Sequence, residues 1–569
     1  MTGLLLRTSA EDHRALCTHD LAGLHPGDGT RAMAGTNPLA PGTRGDSAGV
    51  RTTAATTAVV GAISPFGGPN SYALGLMTEA SVATRTRTAL GDDVRGTLDP
   101  THPSTKGDVF IVMEPRATGH DRARAPGPRA CATRAANLAD AVPVSRVTWT
   151  SASKSPPTFR RGTDMLETVR GPRQLIVGEG VAQNIPRVVA ESGSRVLIVT
   201  DQVLLRQPGV AEIVAAVREK VEVVEVFSDA TPDVPLADVA LAVSVAAEVD
   251  ADVILAIGGG TVIDLAKIVG VIRRHGGTPR DFYGESKVPG PTIPLVAVPT
   301  TSGTGSELTP VSVLTDPDRE LKVGVSSVHI VPDFAIVDPE LTYTCPATVT
   351  AHSGIDAFCH AVESYTARPR AHGPRDPVEQ VFLGRNPITD HYALLAAERI
   401  ARSLRRAVRD GGDTDARADM SYGSMLAGLA FSHAGNAAPH ALQYPIGAAT
   451  HTPHGLGVGL LLPYALDAAR DAIADRLAIL AGMCGLDVTD ASDAEAADTF
   501  LTWLDGLLAD IGIPPTLADI GVARADLPRF AEMASGVTRL IQNHPGPTDT
   551  ASLTAILEAA WTGDRTHTS

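Results

Sequence analysis

After Asp252 the chain runs Val253-Ile254-Leu255-Ala256-Ile257 without a polar residue, meets Gly258-Gly259-Gly260-Thr261, and passes into helical apolar spacing over Val262–Ile272. A short unbroken apolar run is the mark of a strand covered on both faces, as in a parallel sheet flanked by helices. Bare glycines let the backbone approach a pyrophosphate, whose charge free N–H groups and the helix dipole then meet. The order G-G-G-T-V-I-D is not G-x-G-x-x-G, so the ordinary dinucleotide fingerprint does not apply. A tight strand-to-helix turn explains three glycines about as well.

The neighbouring segments repeat the alternation. Strands are expected at Arg173–Val177, Arg195–Thr200, Val221–Phe227 and Thr292–Val298, and helices at Gly180–Glu191, Val210–Lys220 and Leu236–Val249. In such α/β texture ligands bind at the carboxyl ends of the strands. A second glycine-rich turn, Pro299-Thr300-Thr301-Ser302-Gly303-Thr304-Gly305-Ser306-Glu307, follows the strand at Thr292–Val298. Its hydroxyls and free N–H groups suit a phosphate or a nicotinamide amide, although such loops are often plain turn chemistry. Two of them after two parallel strands favour a nucleotide cleft. Asp201, closing another strand, can accept hydrogen bonds from an adenine ribose and would repel a 2′-phosphate, which points to NAD over NADP.

Beyond about Tyr343 the strand signals fade. Helical spacing marks Thr350–Ala367, Ile388–Val408, Arg417–Ala434, Leu456–Ile479, Ala494–Ile511 and Ala551–Trp561, with a Pro- and Arg-rich interruption at Pro369–Asn386. The expected organisation is α/β plus all-α: an NAD-binding α/β domain over 159–342 and a helical metal-binding domain over 343–560. Residues 1–158 differ, being rich in Arg, Ala, Thr, Gly and Pro with little periodicity. They read as a disordered extension, or as an over-long gene model with its start near Met165; a regulatory or targeting arm is the functional reading.

The formal net charge of −16 argues against a nucleic-acid groove. No run of 18 apolar residues suits a membrane span, and the opening Met1–Arg7 is too short an apolar run for a signal peptide. Five cysteines without a close pair (Cys17, Cys131, Cys345, Cys359, Cys484) make a disulfide framework improbable and point to the cytoplasm.

The residues suited to metal chemistry lie in the helical half. Asp356 and His360 are four apart, so on a helix both side chains leave the same face. His440 and His454 lie in Pro439-His440-Ala441-Leu442-Gln443-Tyr444 and Thr452-Pro453-His454-Gly455. One carboxylate and up to three imidazoles make a divalent-metal site of the kind that suits iron(II) or zinc. His352, His433 and His451 are nearby histidines outside this set. Cys359, beside His360, points about 100° away on a helix and is expected to pack.

Several long motifs in order resemble the iron-containing (group III) alcohol dehydrogenases: I-G-G-G-T-V-I-D-L-A-K at Ile257–Lys267, P-T-T-S-G-T-G-S-E at Pro299–Glu307, D-P-E-L at Asp338–Leu341, G-I-D-A-F-C-H-A-V-E at Gly354–Glu363, and T-P-H-G-L-G at Thr452–Gly457. The resemblance covers roughly residues 165–560. It implies a dehydroquinate-synthase-like fold, with metal and nicotinamide in the cleft between an α/β and a helical domain. Its metal ligands fall on Asp356, His360, His440 and His454. Its cofactor contacts fall on Gly259, Gly260, Thr261, Asp264, Thr300, Thr301, Thr304, Ser306 and Lys322, beside Asp201. Many members carry a second histidine four residues after the ligand matching His440; here that position is Tyr444, counted among the catalytic set. This, with E-S-Y-T at Glu363–Thr366 and N-P-I-T-D at Asn386–Asp390, looks like the branch of hydroxyacid-oxoacid transhydrogenases and medium-chain hydroxy-acid dehydrogenases.

The implied activity is hydride transfer between NAD(H) and a primary alcohol or aldehyde, or a hydroxy acid or oxo acid, with Fe(2+) or Zn(2+). The alternative is a transhydrogenase that retains its nicotinamide. A homo-oligomer, dimer or larger, is expected. A lyase or cyclase of the dehydroquinate-synthase type has different ligand motifs, and a binding protein on this fold would be expected to lose ligands. For a substrate carboxylate, Arg368, Arg370, Arg375 and Arg385 of the Pro- and Arg-rich interruption are candidate anchors, against a plain solvated loop.

Overall fold

The computed structural model describes residues 44–45, 51–52, 169–319, 322–370 and 380–565. The chain divides into two compact units, Met1–Phe159 and Arg160–Ser569. In the first, the described backbone is one short antiparallel pair, Arg44–Gly45 with Arg51–Thr52; the expectation for 1–158 otherwise lies outside the described residues.

The second unit opens with a six-stranded parallel sheet. Its strands are β1 (Gln174–Val177), β2 (Arg195–Val199), β3 (Val223–Phe227), β4 (Val253–Gly258), β5 (Leu295–Pro299) and β6 (Phe334–Val337), in the spatial order β1-β6-β5-β4-β2-β3. Helices α1 (Ile185–Ser192), α2 (Pro208–Arg218), α3 (Leu236–Glu248) and α4 (Gly260–His275) cover it. Alternation along β4 shows why its sequence is uniformly apolar. Ile254 and Ala256 enter one core with Leu265 of α4, while Val253, Leu255 and Ile257 enter the other with Val189 and Ile213. Each such side chain contributes about 1.5–3 kcal/mol on burial. β4 and β5 are hydrogen-bonded neighbours with Gly258 opposite Pro299, so the two glycine-rich turns leave the sheet side by side.

A small three-stranded sheet joins Gly284–Glu285, Val323–Ser326 and Val311–Leu314. These strands, and β6, were not anticipated from the sequence. The expected helix at Gly180–Glu191 is a 3₁₀ turn, Val181–Asn184, followed by α1, because Pro186 has no N–H to extend a helix backward through its position.

The remaining chain is helical: α5 (Ala347–Thr366), α6 (Pro387–Arg409), α7 (Thr414–Ala434), α8 (Ala438–Thr450), α9 (His454–Ala468), α10 (Arg470–Met483), α11 (Asp493–Asp510), α12 (Leu527–Ser535) and α13 (Thr550–Thr562). The single helix expected at Leu456–Ile479 is two, α9 and α10, broken at Ala469 (φ −106°, ψ 0°). α8 was not anticipated, since Pro445 inside it hides the periodicity. α5 runs through the middle of this half, with Ile355, Phe358, Cys359 and Val362 fully buried in its core, so Cys359 packs as its spacing required. Among the described residues no helix is long and apolar enough to cross a membrane.

Candidate active site

Asp356, His360 and Glu363 stand at i, i+4 and i+7 of α5, so all three leave one face, and all three are buried. His440 comes from the first turn of α8 and His454 is the first residue of α9. The start of α9 lies directly on α5: a Cβ at Gly455 would stand 2.0 Å from the carbonyl oxygen of His352. Only glycine permits that approach, which delivers His454 to the group.

The three imidazoles converge on one carboxylate oxygen. Nε2 of His440 is 3.5 Å from Oδ1 of Asp356, and Nε2 of His360 and of His454 are each 3.8 Å from it. The Nε2 atoms of His360 and His440 are 3.1 Å apart. Oδ1 of Asp356 is buried with no hydrogen-bond partner. A buried carboxylate oxygen left this way is costly unless a cation meets it. One carboxylate and three imidazoles, with donor atoms of Asp356, His440 and His454 within 4.8 Å of one another, therefore fit a divalent iron or zinc ion.

The electrostatics agree. Burial pushes His360 down to about 3 and His454 down to about 4, which keeps both rings neutral. Burial also opposes charge on Asp356, but His360, His454 and His440 outweigh it and hold the carboxyl well below the usual range. His440 moves the other way: burial would lower it, yet Glu363 and Asp356 carry it up to about 10, so without an ion the ring keeps the inward proton that a bound cation would displace. Glu363 Oε1 accepts a 2.6 Å bond from Nδ1 of His440, and its other oxygen accepts from the backbone N–H of Ala437. That fixes the tautomer presenting Nε2 inward. Glu363 was not singled out from the sequence, although its spacing of three from His360 was the available signal. His360 is held by Gly303, whose carbonyl oxygen lies 3.3 Å from its Nδ1, and by Phe431, stacked at 4.0 Å between ring centroids.

This group forms one wall of an open cleft. Gly260, Thr261, Asp264, Thr304 and Ser306 line the side belonging to the α/β half, together with Lys322. Gly260 sits against Thr304; a Cβ there would lie 2.6 Å from the threonine methyl, so the two turns touch. Burial of most of the Asp264 side chain raises its carboxyl, although Lys267 pulls the other way; its Oδ2 accepts from the N–H of Val313. Lys322 is paired with Asp233.

Four of the nominated cofactor residues do not line this cleft. Thr301 lines a smaller hollow behind it with Glu307 and Ser421, Thr300 is bonded through its N–H to Gly258, and Gly259 abuts Thr301. Asp201 caps the short helix Gln202–Leu205, where its Oδ1 accepts from the N–H groups of Val203 and Leu204 at 2.8 Å. The neighbouring histidines also have other places. His433 is fully buried against Ser432 and Leu429, and His451 ends α8 exposed at φ 55°.

The described candidate anchors lie elsewhere. Arg368 donates to the carbonyl of Gly546, Arg370 to the carbonyl of Phe382, and Arg385 pairs with Asp390, so each serves the fold; none lines the cleft, and Arg375 lies outside the described residues. The arginine that does line it is Arg539, whose Nη2 donates to the hydroxyl of Tyr444 at 2.9 Å. It was missed because nothing in its local sequence marks it.

Comparison with known proteins accords with this geometry. Residues 172–339 match the model for iron-containing alcohol dehydrogenase, and residues 350–561 that for the C-terminal part of the Fe-containing alcohol dehydrogenase family. The chain is 36% identical over 384 residues to long-chain-alcohol dehydrogenase 1 of Geobacillus thermodenitrificans, covering 67% of this chain and 93% of that one. It is 34% identical over 335 residues to the mitochondrial hydroxyacid-oxoacid transhydrogenase of Bos taurus, covering 54% and 71% respectively. The solved alcohol dehydrogenase from Oenococcus oeni superposes with a TM-score of 0.65 at 30% identity, over 70% of this chain and all of that one. A carboxylate and three imidazoles in one cleft with two glycine-rich turns are thus found in a chain that belongs to the iron-containing alcohol dehydrogenase family and is an oxidoreductase of alcohols.

Proposed function

We propose that the cleft transfers hydride between NAD(H) and a primary alcohol or its aldehyde, with Fe(2+) or Zn(2+) held by Asp356, His360, His440 and His454. The observation carrying this is the orphaned Oδ1 of Asp356, ringed by three imidazole nitrogens beside the glycine turn. The ion, when bound, supplies Lewis acidity that lets an alcohol lose its proton near neutral pH. Gly260 and Thr261, at the N-terminus of the 16-residue helix α4, offer N–H groups and the helix dipole to a pyrophosphate, and Thr304 and Ser306 add hydroxyls. Asp201 Oδ2 takes none of the described hydrogen bonds and can accept from a ribose hydroxyl, which favours NAD over NADP. Phe382, Phe431 and Tyr444 provide the apolar wall that keeps water from the reacting carbon. The free cysteines Cys345, Cys359 and Cys484 suit the cytoplasm.

The test is NADH formation from short primary alcohols by protein loaded with iron(II) or zinc. Activity that survives Asp356→Ala, or needs no metal, overturns the proposal. A transhydrogenase is the second reading, supported by the bovine relative; NAD that copurifies and is recycled by a 2-oxo acid without release would favour it.

A further inference from the structure

The cleft contains a cation that the hydride chemistry does not use. Arg539, in the short helix Thr538–Ile541, projects into it, and its guanidinium lies 5.8 Å from the ring centroid of Tyr444 and 6.0 Å from that of Phe382. Its one described side-chain hydrogen bond is the 2.9 Å donation from Nη2 to the Tyr444 hydroxyl. Among the described residues no carboxylate pairs with it. The other cations near the cleft are neutralised: Lys322 by Asp233, and Lys267, beneath it, by the carbonyls of Thr309 and Val311 with Asp264 at 3.9 Å. None of its remaining N–H groups is a buried unpartnered donor; they stay open to a ligand entering the cleft.

Its position says which ligand. Tyr444 bridges Arg539 to the metal group, its ring 6.5 Å from that of His454. The Tyr444 hydroxyl accepts from Arg539, so its own proton is free to be donated into the cleft. A guanidinium fork and a phenolic O–H on one side, facing the metal ligands on the other, make a two-ended receptor: alcohol oxygen at the ligands, anion at the fork.

We propose that Arg539, with Tyr444, is the specificity determinant for a substrate bearing a carboxylate remote from its hydroxyl, so that the substrate is an ω-hydroxy acid and its product the corresponding oxo acid. This rests on the reading of the cleft as an NAD-linked alcohol site. A planar carboxylate can engage two parallel guanidinium N–H bonds, which favours it over other anions. The balanced reaction is unchanged: hydride leaves the carbinol carbon for NAD⁺, the hydroxyl proton goes to solvent, and the carboxylate takes no part in bond making.

The experiment compares kcat/KM for 4-hydroxybutanoate and 1-butanol in the metal-loaded full chain, wild type against Arg539→Gln, Arg539→Lys and Arg385→Gln. The expected result is that the acid-to-alcohol ratio falls about 10–100-fold in Arg539→Gln, as for a lost charge-assisted pair, and lies between in Arg539→Lys. It should not move in Arg385→Gln. A proportional fall for both substrates in Arg539→Gln, or no wild-type preference for the acid, overturns the proposal. A preference for 2-hydroxyethanesulfonate over 3-hydroxypropanoate also overturns it, in favour of a sulfonate. A second measurement separates this from failure of the hydride-transfer reading: calorimetric titration of butanoate into metal-free protein. Binding weaker by about 10–100-fold in Arg539→Gln supports the carboxylate site even if no alcohol is oxidised, and equal binding refutes it.

Discussion

Glu363 Oε1 accepts a 2.6 Å hydrogen bond from Nδ1 of His440, while Nε2 of the same ring faces Asp356. The carboxylate thus decides which imidazole nitrogen is left with a lone pair for a metal. Glu363→Gln can present its carboxamide NH₂ to Nδ1 and turn the ring to the wrong tautomer. The expected outcome is a loss of about 10–100-fold in metal affinity, read as iron or zinc retained against a competing chelator, with the fold kept by circular dichroism. Unchanged metal retention would remove Glu363 from the site.

The touching glycine and hydroxyl turns give a second prediction. Gly260→Ala places a methyl 2.6 Å from the Cγ2 of Thr304, which must move with its loop. Overpacking of this kind costs about 1–3 kcal/mol, and here it also displaces N–H groups at the start of α4. NAD affinity and melting temperature should both fall in Gly260→Ala. Thr304→Gly in the same chain removes all three close atoms, Cγ2, Oγ1 and the Cβ at 3.0 Å, and should recover part of the melting temperature; failure of that rescue would mean the glycine serves another purpose.

Most of this site was legible in the sequence, for identifiable physical reasons. Asp356 and His360 are set four apart on one helix, and the turn after β4 is dense in glycine, so both are local signals. Only the motifs could join His440 and His454 to them, because the contacts span 80 residues or more between His360 and His440 and beyond. Arg539 shows the limit: it reaches Tyr444 across 95 residues from a four-residue helix, where no periodicity or spacing exists to reveal it. The arginines from Arg368 to Arg385 drew attention by their position between two cleft-forming helices, yet position on a loop says nothing of whether backbone carbonyls have already claimed the donors.

The pair of Lys322 and Asp233 lies at the cleft edge, with Asp233 at φ 69° and Val234 at φ 49°. Lys322→Met leaves the Asp233 carboxylate uncompensated where the ribose and phosphates of NAD are proposed to lie, and like charge then opposes binding. NAD affinity is expected to fall about 10-fold, the scale of ~1.4 kcal/mol. Asp233→Asn added to Lys322→Met should restore part of it. If the double variant binds as weakly as the single, the lysine itself contacts the cofactor.

Glu307 gives a pH dependence. It is 3% exposed behind the second glycine-rich turn, and burial raises its carboxyl to about 7, although Lys267 pulls the other way. The folded value lies above the unfolded one, so the folded state holds this proton more tightly. Its stabilising contribution is complete below about 4.5 and is lost as pH rises through about 7. Glu307→Gln is neutral throughout and escapes that loss, while Lys267 keeps the carbonyls of Thr309 and Val311. The melting temperature of Glu307→Gln relative to wild type should therefore rise between pH 5 and pH 8, by an amount bounded by about 3 kcal/mol from the 1.36 kcal/mol carried by each pH unit. Thermal melts of both proteins at those two pH values decide it: a difference that stays flat, or shrinks as pH rises, would show that Glu307 is already ionised in the folded protein at pH 5.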